Sequence, residues 1–190
     1  YQLWQREWLP GDALESQLAY WEQQLRDQPL MLDLPTDHPR PPVQTFGGTI
    51  YEFHISPETT EALKRVTRES GTSLFITLYG AFSVLLFRYT GQTDIVIGSP
   101  LEHQAYKNSK PEMVMPENPL PLRIDLFGDP VFTSVLDRAA HTVTQAYAHQ
   151  DIPFEKLIKE LGLERNPSYH PLFQVMFILD ENQRYSPPEG

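Results

Sequence analysis

A histidine beside a carboxylate is the pairing in this sequence most suited to chemistry, and His149-Gln150-Asp151 supplies it. An imidazole oriented by an acid serves as a general base when it lies within hydrogen-bond reach of the proton it removes. The neighbouring residues favour a structural reading. Asp151 stands just before Pro153 and suits capping or charge-stabilising a helix start there, while His149 closes the preceding helix, where a cation suits the dipole. Glu155, in the first turn of the helix that Pro153 opens, has the same electrostatic explanation. The remaining histidines, His38, His54, His103, His141 and His170, stand apart in the sequence.

Other chemistries are disfavoured by residue type. The chain of 190 residues contains no cysteine, which excludes disulfides, thiolate nucleophiles and cysteine zinc sites and fits a reducing compartment. There is no His-Glu-x-x-His pair, and His141 and His149 lie two helical turns apart. Gly47-Gly48 and Gly91 read as turn and cap glycines rather than a phosphate loop. A net charge of −10 without any Lys/Arg run argues against a nucleic-acid surface and against docking on anionic lipid. The longest apolar stretch, Leu74 to Phe87, is broken by Thr77, Gly80 and Ser83 and falls short of the ~20 residues of a membrane span. Tyr1 to Trp8 is polar and aromatic, unlike a signal peptide. The expectation is a soluble, acidic, cytoplasmic chain that, opening on Tyr1, is an excerpt of something longer.

Elements must position these residues, and helix and strand signals alternate. Leu14, Leu18, Trp21 and Leu25 fall at helical spacing. Thr49 to Ile55 alternates, with Tyr51, Phe53 and Ile55 on one face, and reads as a strand. Ser56-Pro57 with Glu58 and Glu61 behind it starts a helix running to about Ser70, buried through Ala62, Leu63 and Val66. Ser73 to Tyr89 is apolar on most faces, with Phe75, Phe82 and Phe87 in the core, and ends at Gly91: a central buried helix. Asp94–Gly98 is an interior strand, and Leu120–Leu126 is another despite Pro121. Asp129-Pro130 opens a long helix with Phe132, Val135, Leu136, Ala139, Val143 and Tyr147 inward. Pro153 opens a shorter one through Leu157, Ile158 and Leu161, and Phe173–Leu179 is β in composition. Pro29–Gly48 and the proline-rich Glu102–Pro121 read as extended connections, the latter a loop outside the sheet. The fold class is α/β, a layered sheet with packed helices.

Read in order, these segments resemble the core motifs of nonribosomal peptide synthetase condensation domains. Tyr1–Leu9 is similar to the tyrosine–tryptophan motif that begins the second half of that family. Leu18–Leu25, Leu34–Pro42 and Tyr89–Pro100 continue in family order. His149–Glu155 matches a named motif at every defined position. Arg165–Phe177 matches another, with Asn166 and Tyr169 where the family shows aspartate and arginine. The resemblance implies one lobe, the C-terminal one, of a chloramphenicol-acetyltransferase-like fold over residues 1–190, with 183–190 as a linker. The motif residues it marks as structural or lobe-interface positions are Asn118, Arg123, His149, Gln150, Asp151, Pro153, Phe154 and Glu155.

The departures shape the functional expectation. The family's His-His-x-x-x-Asp-Gly motif, whose histidines position or deprotonate the acceptor amine, would lie before Tyr1. The phenylalanine–valine–asparagine–threonine motif is replaced by Met113–Arg123, which keeps Asn118, Leu120, Leu122 and Arg123 but carries Pro116 and Pro119. The turn after Ser99-Pro100 is replaced by Leu101–Ala105, and the family's final strands would follow Leu179. The resemblance therefore implies a lobe without its own catalytic base, a structural or docking platform beside an adenylation or carrier domain. The alternative is the acceptor-side lobe of an active condensation domain, which forms peptide bonds between carrier-tethered substrates. No cofactor or metal is expected on the chain itself; 4'-phosphopantetheine belongs to the parent's carrier domains. Expected partners are those adjacent domains and the missing N-terminal lobe, with no nucleic acid and no membrane. Tyr1, Trp4, Trp8, Tyr20 and Trp21 form an aromatic set that serves either an interface or internal packing.

Overall fold

The computed structural model describes residues 11–29, 31–100, 118–163 and 166–180, with side chains from Leu14 onward. The elements run α1 (Gly11–Leu25), α2 (Pro57–Glu69), α3 (Leu74–Thr90), β1 (Asp94–Pro100), β2 (Pro119–Asp125), α4 (Phe132–Ala148) and α5 (Phe154–Glu160). Local chemistry sets several boundaries. Ser56 Oγ accepts from Thr59 N at 3.2 Å with Pro57 in the first turn of α2, and Ser73 Oγ accepts from Ile76 N at 3.2 Å to start α3. Gly91, at φ 73°, ends α3 in the left-handed conformation that glycine adopts without strain.

The strands β1 and β2 pair antiparallel from Asp94 opposite Asp125 to Pro100 opposite Pro119. Every residue from Ile95 to Ser99 is buried, so β1 is covered on both faces, as its unbroken apolar run requires. Among the described residues β2 is an edge strand, and two prolines fit in it because such a strand needs ladder donors on one side only. On the other side of β1, Gly98 bridges Met176 in parallel, with Gly98 N bonded to Val175 O and Phe177 N to Gly98 O, both at 2.9 Å. Glycine is required here by space, since a Cβ on Gly98 would lie 2.4 Å from the Phe173 ring. Helices α3 and α4 pack on each other and on the strands. The core is built on Trp21, Tyr79, Ile95, Ile97, Leu122 and Leu136.

Several expectations need correction. Thr49–Ile55 belongs to no strand, because none of its residues joins a ladder with a described segment. The β-rich Phe173–Leu179 reduces to one bridge at Met176, since contact with β1 is confined to Gly98. Ala62, Leu63 and Val66 are half-buried, and α2 has no fully buried residue because it packs chiefly against one neighbour, α3. Phe132 and Tyr147 sit at opposite ends of α4, beyond the covered middle of its inner stripe, and are exposed; Thr142 and Ala146 are buried instead. Pro119, Leu120 and Pro121 lie within β2 rather than a loop. Asn118, just before β2, is described as well; residues 102–117, the aromatics Tyr1, Trp4 and Trp8, and the linker 183–190 fall outside the described residues. No single described helix is long and apolar enough to cross a membrane.

Candidate functional site: a clamped turn between α4 and α5

The densest polar constellation surrounds residues 149–154, the turn that joins α4 to α5. A tight turn between two helices exposes backbone groups that neither helix satisfies. Side chains from two distant segments meet them. Asn118, one residue before β2, donates through Nδ2 to Gln150 O at 3.2 Å and to Ile152 O at 3.0 Å. Its Oδ1 accepts from Phe154 N at 2.8 Å. Gln17, on α1, donates through Nε2 to Asp151 Oδ2 and accepts at Oε1 from Ile152 N, both at 3.0 Å. Trp21 Nε1 donates to His149 O at 2.8 Å. Beneath the turn, Ile152 is buried with Leu157 of α5.

His149 does close α4, as its position suggested. Its Nδ1 lies 2.8 Å from Gln145 O, a carbonyl, so the nitrogen there carries the proton and donates. The ring stacks on Tyr20 at 3.9 Å and 10°. Burial pushes the Tyr20 phenol up to about 12, which leaves it neutral at physiological pH. The structure does not make Asp151 the cap of α5. Pro153 occupies the N-cap without a side-chain bond, and Asn118 Oδ1 serves the Phe154 amide instead. Glu155 lies in the first turn of α5, where its charge meets the positive end of the dipole.

Arg123 lies elsewhere, at a second clamp on the same helix α1. Its guanidinium forks onto Asp94, Nε to Oδ1 at 2.8 Å and Nη2 to Oδ2 at 2.6 Å. Nη1 donates to Gln24 O at 2.9 Å and Arg26 O at 2.7 Å, the carbonyls at the C-terminal end of α1. Hydrogen bonding to Asp94 holds the guanidinium above its ordinary pKa. Thus Asn118 and Gln150–Glu155 are brought together, while the Arg123 guanidinium meets the C-terminal end of α1 and the Arg123 carbonyl accepts from Thr142 Oγ1 of α4 at 3.1 Å. Sequence reasoning missed Gln17 and Asp94. A signal existed for Gln17: it sits with Trp21 and Gln24 along one helical stripe, where a glutamine among core residues needs a partner.

The other buried titratable groups are occupied structurally. Tyr79, wholly buried, donates to Leu122 O at 3.2 Å, and burial drives its phenol far above the ordinary value. His170 stacks on Phe173 at 4.2 Å, and its Nδ1 accepts from the amides of Leu172 and Phe173 at 3.3 Å. Burial holds the imidazole below its usual pKa, with the Glu155 carboxylate acting the other way. A folded-state pKa below the unfolded ~6.5 means that this contribution to stability is full above ~6.5 and is lost as pH falls through the folded value. The melting temperature should therefore fall as pH drops below about 6.5, and His170→Phe, which keeps a ring in the stack, should flatten that dependence. An unchanged slope in the variant would show that His170 titrates alike in both states. Among the described residues no group of His, Asp and Glu is placed to hold a metal ion.

Comparison with known proteins places this geometry in context. A family model described as "Condensation domain" matches residues 1–186. One of the subunits of linear gramicidin synthase from Brevibacillus parabrevis is 49% identical over 183 residues, which cover 96% of this chain and 4% of that protein. The X-domain from teicoplanin biosynthesis superposes with a TM-score of 0.84 at 29% identity, covering 92% of this chain and 40% of its own. The structure of that X-domain in complex with OxyB gives 0.84 at 28% identity, covering 92% and 39%. This chain therefore spans less than half of each solved neighbour and a small part of the synthase.

Proposed function

Because the chain belongs to the condensation-domain family, we propose that it serves a nonribosomal peptide synthetase as a structural or docking platform beside an adenylation or carrier domain, without catalysing condensation itself. One observation carries this reading. The polar groups of the matched turn are taken up by the chain's own side chains: Asn118, Gln17 and Trp21 all bond to residues 149–154. His149, the histidine of the His149-Gln150-Asp151 motif, has its ring stacked on Tyr20 and its Nδ1 bonded to Gln145 O. Such an arrangement presents a rigid surface rather than a poised base. A family relative, the teicoplanin X-domain, is known in complex with another protein, OxyB, which supports a binding role. Residues 1–190 are then one lobe of the domain, and the 4'-phosphopantetheine arm belongs to the partner carrier domain.

A second reading is the acceptor-side lobe of an active condensation domain. The 49% identity to a linear gramicidin synthase favours it. Incubating the chain with two aminoacyl-loaded carrier proteins separates the two. The platform reading expects no peptide above background, together with measurable binding to an adenylation–carrier didomain. Product formation by the chain alone would overturn it.

A further inference from the structure

Helix α3 is apolar on most faces, yet near its C-terminal end Leu85 is 49% and Tyr89 66% exposed. The register of the hairpin brings a second apolar set to the same end of the fold. Asp94 pairs with Asp125, and Leu126 N bonds to Thr93 O at 2.7 Å, so the chain enters α4 beside the end of α3. There Phe127 is 73%, Val131 68% and Phe132 39% exposed. Gly80 of α3 faces Val135, Leu136 and Ala139, which runs α4 back along α3 from that end. The turn that displays Phe127 is held firmly. Phe127 N donates to Asp125 Oδ1 at 2.8 Å, and Arg138 Nη1 donates to Asp125 O at 2.7 Å and Phe127 O at 3.3 Å. Gly128 and Asp129 follow at φ 88° and 49°. Apolar side chains fixed in this way at the surface cost a partner little ordering entropy.

We infer that the surface where the end of α3 meets the start of α4 binds a second copy of the chain across a two-fold axis. Charge is the first argument for this occupant. Arg88 and Asp129, both exposed, flank the apolar residues, and neither joins an ion pair among the described residues. A surface that carries one charge of each sign complements itself, so Arg88 of each copy meets Asp129 of the other. The whole end is close to neutral, with Asp27, Asp33, Asp125 and Asp129 set against Arg26, Arg88 and Arg138 outside the Arg123–Asp94 pair. The chain's overall charge of −10 lies mostly beyond the ~8 Å over which physiological salt leaves it felt. Area is the second argument. At about 200 Å² per ring, the exposed parts of Tyr89, Phe127 and Phe132 alone offer roughly 350 Å². With Leu85, Val131 and the charged rim, the surface approaches the ~800 Å² per partner of a stable interface. The inference is independent of the platform reading, since the 149–154 turn lies at the other end of α4, whose 17 residues span ~25 Å.

Sedimentation equilibrium of the 190-residue chain tests it. The chain should dimerise at micromolar concentration, and Phe127→Asp should weaken association about 100-fold while the Ile95–Ile97 amides stay protected. Arg88→Asp and Asp129→Arg should each be monomeric alone, because like charges then face each other across the axis. Mixed in equal amounts, the two variants should pair with one another, since both contacts then join opposite charges. A chain monomeric at about 100 μM would overturn the inference. So would association that survives Phe127→Asp, or that is lost in Phe53→Lys, which would assign it to the exposed 43–55 stretch. Folded charge variants that stay monomeric when mixed would overturn it as well. Should Asp129→Arg melt early, its φ of 49° suiting few side chains, Phe127→Asp and Arg88→Asp decide alone, and a dimer retained by either overturns the inference.

Discussion

Replacing Asn118 with alanine is expected to destabilise the chain by about 3 kcal/mol, one of the two largest effects of a single substitution at the clamps. The amide makes three bonds to the turn, to Gln150 O, Ile152 O and Phe154 N. Each bond contributes about 1 kcal/mol net, and each partner left buried and unmet costs about 1–3 kcal/mol. Partial rewetting of the two carbonyls keeps the sum toward the lower end. For a domain of this size the melting temperature should fall by roughly 6–12 °C. Asn118→Asp sharpens the test. It keeps an acceptor for Phe154 N but turns a carboxylate toward two carbonyl oxygens, so it should be no better than alanine although nearly isosteric. A loss below about 0.5 kcal/mol for either variant, the range of ordinary surface substitutions, would show that the turn holds without the clamp.

The presence of Asn118 in the altered stretch, beside the kept Leu120, Leu122 and Arg123, suits this geometry. The prolines of β2 are tolerated because they lie on an edge strand, whereas a residue bonding three backbone groups of a helix–helix turn has few substitutes. Its position was legible in the sequence only as a motif match; its partners were not, because residues 118 and 150–154 are joined by folding alone. The helices were legible for the opposite reason. Ser56-Pro57, Ser73 and Gly91 carry local chemistry that sets a boundary without tertiary help. Strands need a neighbour, and composition cannot supply one. Thr49–Ile55 and Phe173–Leu179 have equally good β patterns, yet the first finds no partner among the described residues and the second touches β1 at one bridge. Of the two roles that sequence offered Asp151, capping and charge-stabilising the helix start, capping is not taken: Pro153 stands at the N-cap without a side-chain bond, and Gln17, 134 residues away, bonds the carboxylate.

Arg123 is expected to be the second costly site, and its loss should be felt in the turn that it does not touch. The fork onto Asp94 joins β2 to β1, and Nη1 satisfies two carbonyls where α1 runs out of intrahelical donors. Breaking a fully buried pair costs about 3–5 kcal/mol; here the Asp94 side chain is 35% exposed and can rehydrate, so Arg123→Met should cost about 2–3 kcal/mol. Lysine places a charge near Asp94 but cannot form the fork and reach both carbonyls together, and Arg123→Lys should still cost about 1–2 kcal/mol. A double-mutant cycle with Asp94→Asn should give a coupling of about 1–2 kcal/mol. The consequence at a distance follows from α1, which carries Trp21 and Gln17, one and two turns before Gln24, into the 149–154 turn. Once the carbonyls of Gln24 and Arg26 are released, the helix is free to shift along its axis, and the Trp21 Nε1–H bond to His149 O should open more often. Faster exchange of that indole proton in Arg123→Met, with the Ile95–Ile97 amides still protected, is the expected result. An indole proton as protected as in the unaltered chain would mean that the two clamps hold α1 independently of each other.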